Sequence, residues 1–213
     1  MAEKSFWGEK KDLEWVSNFF FYYGKFIAVF MVLAAIVIVS CISCMNKIEY
    51  DCELYYMSDK HFMSTVFNNV ENALTEVIDD IDGKHGPVVG FQDYTAVTKD
   101  AISNDIDMVM TSKIHMEIVA GSGYLYIMNE EWYKFCYDGE LLEDISQYTG
   151  DKEPVYCFEV TDNKFLNDLG VKDNGKLYIG LRAMNYDKLD DKIEIKKHNN
   201  AKKVIKYIID NDK

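Results

Sequence analysis

From Phe26 to Met45 the chain reads FIAVFMVLAAIVIVSCISCM, twenty residues without a charge. A helix rises about 1.5 Å per residue, so this run covers roughly 30 Å, the thickness of bilayer hydrocarbon. A helix buried in a soluble core keeps a polar stripe, and none is present here. A membrane-spanning helix over residues 19–46 is therefore expected. Trp15, Phe19, Phe20, Phe21, Tyr22 and Tyr23 crowd its upstream edge, as an interfacial aromatic belt requires. Lys10, Lys11 and Lys25 precede the run and only Lys47 closely follows it, which places a short segment, residues 1–18, in the cytoplasm and residues 47–213 outside. A cleaved secretory signal needs a shorter leader. Ile38-Val39-Ser40-Cys41 resembles a bacterial lipobox, so a lipoprotein anchored at Cys41 is the alternative form of the tether.

The residues beyond the run suffice for one domain and hardly for two. Residues 1–46 carry Lys4, Lys10, Lys11 and Lys25 against Glu3, Glu9, Asp12 and Glu14. They are neutral, and the whole net charge of −13 lies in residues 47–213. That balance excludes nucleic acid as a partner, because phosphate binding needs a basic footprint. Arg182 is the only arginine, and no Asn-x-Ser/Thr sequon occurs, which agrees with a bacterial source.

In the outer part, residues 49–57 read as an aromatic strand, with Ser58 and Asp59 as candidate caps for a helix over 60–80 whose Phe62, Val66, Val70, Leu74, Val77 and Ile78 form one stripe. A second strand is expected at 87–95 and a second helix at 100–120, with Ile102, Ile106, Met110, Ile114 and Ile118 on one face and Gly121 as C-cap. Tyr124 to Met128 reads as a strand, Asn129 caps a third helix, and Gly139 ends it. Two further apolar runs, Val155 to Val160 and Leu177 to Met184, flank the turn residues Asp173-Asn174-Gly175. A last helix is expected over 199–211. Alternating strands and helices imply an α/β domain with a largely parallel or mixed sheet.

Catalytic templates are missing: there is no GxSxG elbow, no GxxxxGK[ST] phosphate cradle and no HExxH helix. His61, His85, His115 and His198 are scattered, and Asp79-Asp80-Ile81-Asp82-Gly83 departs from a calcium loop, with Ile78 and Val89 where the first and twelfth ligands belong. No metal and no cofactor are expected. Cys41 and Cys44 have CxxC spacing but lie inside the apolar run, where dithiol chemistry has no water. Among Cys52, Cys136 and Cys157, the pair Cys136 and Cys157 is the candidate disulfide.

Residues 113–145 carry a resemblance, in Ala120-Gly121, Tyr124 to Met128, Glu131-Trp132 and Gly139-Glu140-Leu141. This order of helix end, short strand, acidic-aromatic helix start and Gly-x-Leu turn resembles a segment of bacterial extracellular solute-binding proteins. With Trp15, Tyr22, Tyr23 and Lys25 before the apolar run, the chain is similar to small membrane-anchored proteins of low-G+C Gram-positive bacteria that carry one such domain and have no established function. The resemblance implies one lobe of a periplasmic-binding-protein-like fold. About 165 residues are too few for the two lobes that enclose a ligand in those proteins.

The expected function is a membrane-tethered, extracytoplasmic, non-enzymatic binding module for a small solute or an envelope protein. The alternative is an accessory or structural subunit of a membrane protein complex. A pocket lined with aromatics favours the first, an exposed apolar patch the second, and buried acid pairs in a cleft an enzyme. Ligands of open α/β sheets sit beyond the carboxyl ends of parallel strands. That rule places Ser58, Asp93, Tyr94, Asn129, Glu131, Trp132 and Asn185 at the expected site, with Trp132 and Tyr94 offering stacking and Asn129 and Glu131 polar selection.

Overall fold

The computed structural model describes residues 7–45, 49–83, 86–95, 105–121, 123–172 and 175–212. His85, Ile102 and the pair Asp173-Asn174 lie outside the described residues, as does the side chain of Ile106. Two compact units are present, residues 1–48 and 49–213.

The first unit is the helix α1, Trp7–Met45. Its window Phe21–Cys41, of mean hydropathy 2.5, is long and apolar enough to cross a membrane. The helix starts upstream of the expected span because nothing between residues 7 and 45 breaks it; Pro87 and Pro154 are the only prolines in the chain. Phe26, Phe30, Leu33 and Ile36 are exposed along it. Such a helix is compatible with a membrane anchor or with a signal-like segment.

The second unit is a five-stranded mixed sheet in the order β2-β1-β3-β5-β4. The strands are β1 Cys52–Met57, β2 Val89–Asp93, β3 Leu125–Asn129, β4 Phe158–Glu159 and β5 Leu177–Leu181. β1 pairs in parallel with both β2 and β3, with Tyr56 opposite Asp93 and Met57 opposite Met128. β5 pairs antiparallel with β3 and with β4, so β5 alone runs the other way. The sheet is mixed, the second of the two expected forms.

Helices cover both faces: α2 Ser64–Thr75, α3 Asp105–Ala120, α4 Glu130–Asp138, the single turns α5 Ser146–Thr149 and α6 Lys164–Asp168, and α7 Lys192–Asp210. Alternation along the strands sorts the core into two layers. Leu54, Tyr56, Leu125 and Ile127 pack with Val70 and Leu74 of α2 and with Ala201, Val204, Ile205 and Ile208 of α7. Tyr55, Met57, Tyr126 and Met128 pack with Ile114 and Ile118 of α3 and with Trp132 and Cys136 of α4. The crossover from β1 to β2 and the return from β2 past β1 to β3 travel in opposite directions, so helices of one crossover hand fall on opposite faces.

Several boundaries differ from expectation. α2 starts late, at Ser64, because Ser58 and Asp59 bond to each other (Ser58 Oγ donates to Asp59 Oδ1, 3.1 Å) instead of capping a helix. α7 starts early, at Lys192, capped by Asp191, which accepts from the N–H groups of Ile193 (2.8 Å) and Glu194 (3.3 Å). Its first turns escaped the periodicity because buried polar residues, His198 and Asn200, interrupt the apolar stripe. Asn200 bridges Asp51 O and Asp79 O while Asp79 N–H donates to its Oδ1, which explains a buried amide there. The apolar run Val155 to Val160 yields only a two-residue strand, because Val155 is used to accept from Ile145 N–H (2.6 Å). Beyond Leu181 the run to Met184 leaves the sheet after one bridge between Arg182 and Leu142.

Candidate ligand-binding site

The strand ends bring part of the expected set together. Ser58 follows β1, Asp93 ends β2, and Asn129 and Glu131 sit where β3 passes into α4, all at the carboxyl edge. There β1 and β3 lie side by side while their following helices pack on opposite faces, which is a topological switch point. Asp93 accepts from Thr95 Oγ1 (2.5 Å) and lies 2.9 Å from His61 Nδ1, so it fixes an imidazole that is otherwise exposed.

The two aromatic members of the set are core residues. Trp132 is 6 % exposed and packs against the rings of His115 (5.0 Å) and Phe135 (5.8 Å). Tyr94 is buried and stacks on Tyr55 at 5.2 Å. Asn129 is a helix cap, its Oδ1 accepting from Trp132 N–H at 3.1 Å. Glu131 is exposed on the first turn of α4, and Ser58 is buried. Asn185 lies at the opposite edge: it follows β5, the reversed strand, and its amide reaches the Cα side of Gly121 next to Arg182. The carboxyl-edge expectation thus assigned Asn185 a direction that its strand does not have.

At that opposite edge Cys52, Glu53, Gly121, Gly123, Tyr124, Lys188, Glu194, Lys197 and Ala201 line a cavity of about 190 Å³. Its polar groups largely serve one another. Glu194 accepts from the Tyr124 hydroxyl (2.6 Å) and pairs with Lys188 (3.1 Å) and Lys197 (3.8 Å). Burial raises its pKa, but these partners outweigh it and hold the carboxyl below its ordinary value.

A larger cavity, about 520 Å³, opens at the C-terminal end of α4 and is lined by Tyr137, Asp138, Glu140, Leu142 and Tyr156. This volume falls within the roughly 300–1,000 Å³ of small-molecule sites. Local structure places the first four residues. α4 buries Trp132 and Cys136, which leaves Tyr133 half-buried and Tyr137 exposed on the adjacent face. The helix then reverses: Gly139, Glu140 and Leu141 donate their N–H groups to Phe135 O, Tyr137 O and Cys136 O at 3.0–3.1 Å. Glu140 makes the reversal at φ 52°, the only left-handed non-glycine among the described residues. Leu142 is then locked to the sheet by its bridge to Arg182, with Glu143 N–H on Leu181 O (2.7 Å) and Ala183 N–H on Leu141 O (2.9 Å).

Tyr156 comes from the approach to β4 and reaches the cavity only through the sheet. Its carbonyl and Leu142 both cross over Gly180, where an added Cβ would meet Leu142 at 3.2 Å and Tyr156 O at 3.3 Å. The Tyr137 and Tyr156 rings stand 5.6 Å apart at 70°, forming a corner. Tyr133 continues the array, 5.8 Å from Tyr137 and stacked on Tyr178 at 5.0 Å. Burial and a hydrogen bond with Cys157 push the Tyr133 phenol up to about 12, so this ring stays neutral. Sequence reasoning treated Gly139-Glu140-Leu141 only as a turn and passed over Tyr137. The i, i+4 pair Tyr133 and Tyr137 followed by two acids was the available signal.

Cys136 and Cys157 are both free, so the candidate disulfide is not formed. Burial pushes the Cys136 thiol up to about 12, although the Arg182 guanidinium opposes the shift. Among the described residues no group of three His, Cys, Asp or Glu is placed to hold a metal ion. The chain matches no protein-family model, no curated protein and no solved structure.

Proposed function

We propose that the chain is a membrane-tethered, extracytoplasmic, non-enzymatic binding module, as a lobe resembling part of a solute-binding protein would be. The observation that carries this reading is the tyrosine-walled cavity of about 520 Å³ at the end of α4, since stacking walls with a few polar groups select a small solute. The helix α1 supplies the lipid contact, and the Lys10, Lys11 and Lys25 imbalance puts its N-terminus in the cytoplasm of a bacterial cell. Protease added to intact protoplasts then digests residues 47–213; their survival refutes this topology. Cys41→Ser separates the lipoprotein form, which loses its lipid and the cleavage before Cys41 and so gains mass, from an uncleaved anchor, whose length does not change.

The test of binding is a thermal-shift screen of the full chain in maltoside micelles against sugars, amino acids and amines. Hits should be lost or weakened in Tyr137→Ala. If no solute in any class gives a shift that depends on Tyr137, the binding reading fails.

A second reading, an accessory subunit of a membrane complex, draws support from α3. Met108, Val109, Met116 and Val119 are each more than half exposed on this helix while Ile114 and Ile118 face the core. Helices with two apolar faces are usually covered on both. Val109→Glu with Met116→Glu should abolish co-purification of any partner from native membranes, and an unchanged set of partners argues against it.

A further inference from the structure

Resting on the binding reading above, we infer that the tyrosine-walled cavity takes an organic cation, a ligand presenting a protonated or quaternary ammonium group. Three features of different origin agree on the sign of charge. The rings of Tyr137 and Tyr156 form the corner, and aromatic faces carry negative potential that attracts ammonium groups. Among the described residues the ionisable side chains at its lining, apart from the two phenols, are Asp138 and Glu140, carboxylates that accept hydrogen bonds and do not donate them. The cavity also lies at the C-terminal, negative end of the α4 dipole, whose last turn holds no basic residue to neutralise it. Among the described residues none that lines the cavity is cationic. An anion would be repelled by all of these groups, and a neutral solute would gain less from their field than a cation.

The backbone at Glu140 strengthens the case. A turn at φ 52° suits glycine, and a glutamate there keeps a left-handed conformation that L-residues avoid. Local stability does not explain the side chain, whereas a carboxylate at the mouth of a cation site does.

The ammonium group can belong to a free solute or to a lipid headgroup. Both arms are tested with the full chain in dodecyl maltoside, which has no ammonium of its own. Calorimetric titrations at constant ionic strength use choline, its uncharged isostere 3,3-dimethylbutan-1-ol, and a soluble short-chain phosphatidylcholine. Choline should bind saturably and the isostere roughly tenfold or more weakly, because only the ring-ammonium and carboxylate terms differ. Tighter binding of the phosphatidylcholine than of choline assigns the site to lipid headgroups, and the reverse order assigns it to free solutes.

Glu140→Gly should weaken choline binding several-fold while the melting temperature does not fall, since glycine adopts this turn freely. Tyr137→Leu should also weaken it, and because the position is about half exposed and the leucine keeps an apolar side chain, the fold stays intact. Equal affinity for choline and the isostere, no choline binding, or unchanged affinity in Glu140→Gly overturns the cation assignment. Sugars or other neutral solutes binding in a Tyr137-dependent way would then leave the binding module standing without its cation. Absence of every ligand removes both.

Discussion

Replacing Trp132 by Ala is the sharpest test of the division between core and site. Trp132 is 6 % exposed, with the His115 and Phe135 rings 5.0 and 5.8 Å away and Cys136 one turn further along α4. A buried Trp removes roughly 200–250 Å² from water, which at about 25 cal/mol per Å² is about 5–6 kcal/mol, part of which alanine retains. Truncations of this kind cost about 3–5 kcal/mol once the cavity relaxes. In a domain of this size each kcal/mol lowers the melting temperature by about 2–4 °C, so a fall of roughly 6–20 °C is expected. Differential scanning calorimetry of the full chain in maltoside micelles reads it, with near-ultraviolet circular dichroism at 25 °C to check that the variant folds. Trp132→Phe, which refills most of the space, should lose clearly less. A loss below about 1 kcal/mol for the Ala variant would mean that the ring is not part of the packed layer, and would refute the burial argument.

Asp51→Ala should cost about 2–5 kcal/mol, because the N–H groups of Ile81 (3.0 Å) and Val88 (2.8 Å) both lose their carboxylate acceptor; accelerated hydrogen exchange at those two amides is the check. Gly123→Ala should destabilise by about 2 kcal/mol or more, since φ is +68° and the added Cβ collides with the Tyr55 ring; an unchanged melting temperature would contradict it. The domain should also lose stability as pH falls below about 6.5. Burial and the Lys202 ammonium lower the His198 pKa, outweighing Glu143 at 2.9 Å, so between its folded value and 6.5 the unfolded chain binds more protons. Denaturant titrations across this range should show the effect shrink in His198→Gln, and equal pH dependence in the two proteins would exclude His198 as its source.

Much of the architecture was legible because it is local. A helix of membrane length follows from twenty consecutive uncharged residues whatever surrounds them. The strands Cys52–Met57 and Leu125–Asn129 announce burial on both faces by being apolar or aromatic at nearly every position. Gly121 ends α3 at φ 74° and Asn129 caps α4, because both devices act within one helical turn. The exposed apolar face of α3 was harder to see. A stripe through Ile114 and Ile118 accounts for one side of that helix, and periodicity cannot say whether the residues opposite find cover.

Direction and long-range contact belonged to the tertiary structure. Apolar strands read the same forwards and backwards, so only hydrogen-bonded pairing with β3 reversed β5 and carried Asn185 to the other edge of the sheet. Tyr94 and Trp132 look like exposed stacking residues at strand ends until Tyr55, His115 and Phe135 close over them. The cavity itself needs Tyr156 beside Tyr137, two residues that no short-range period relates. Pairing of the 141–145 segment with β5 and with Val155 brings them within 5.6 Å. The sequence by itself determined where most helices and the longer strands lie, because side-chain period and local capping act within a segment. Which side chains meet across the sheet, and hence where a ligand fits, was decided only when the strands chose their neighbours.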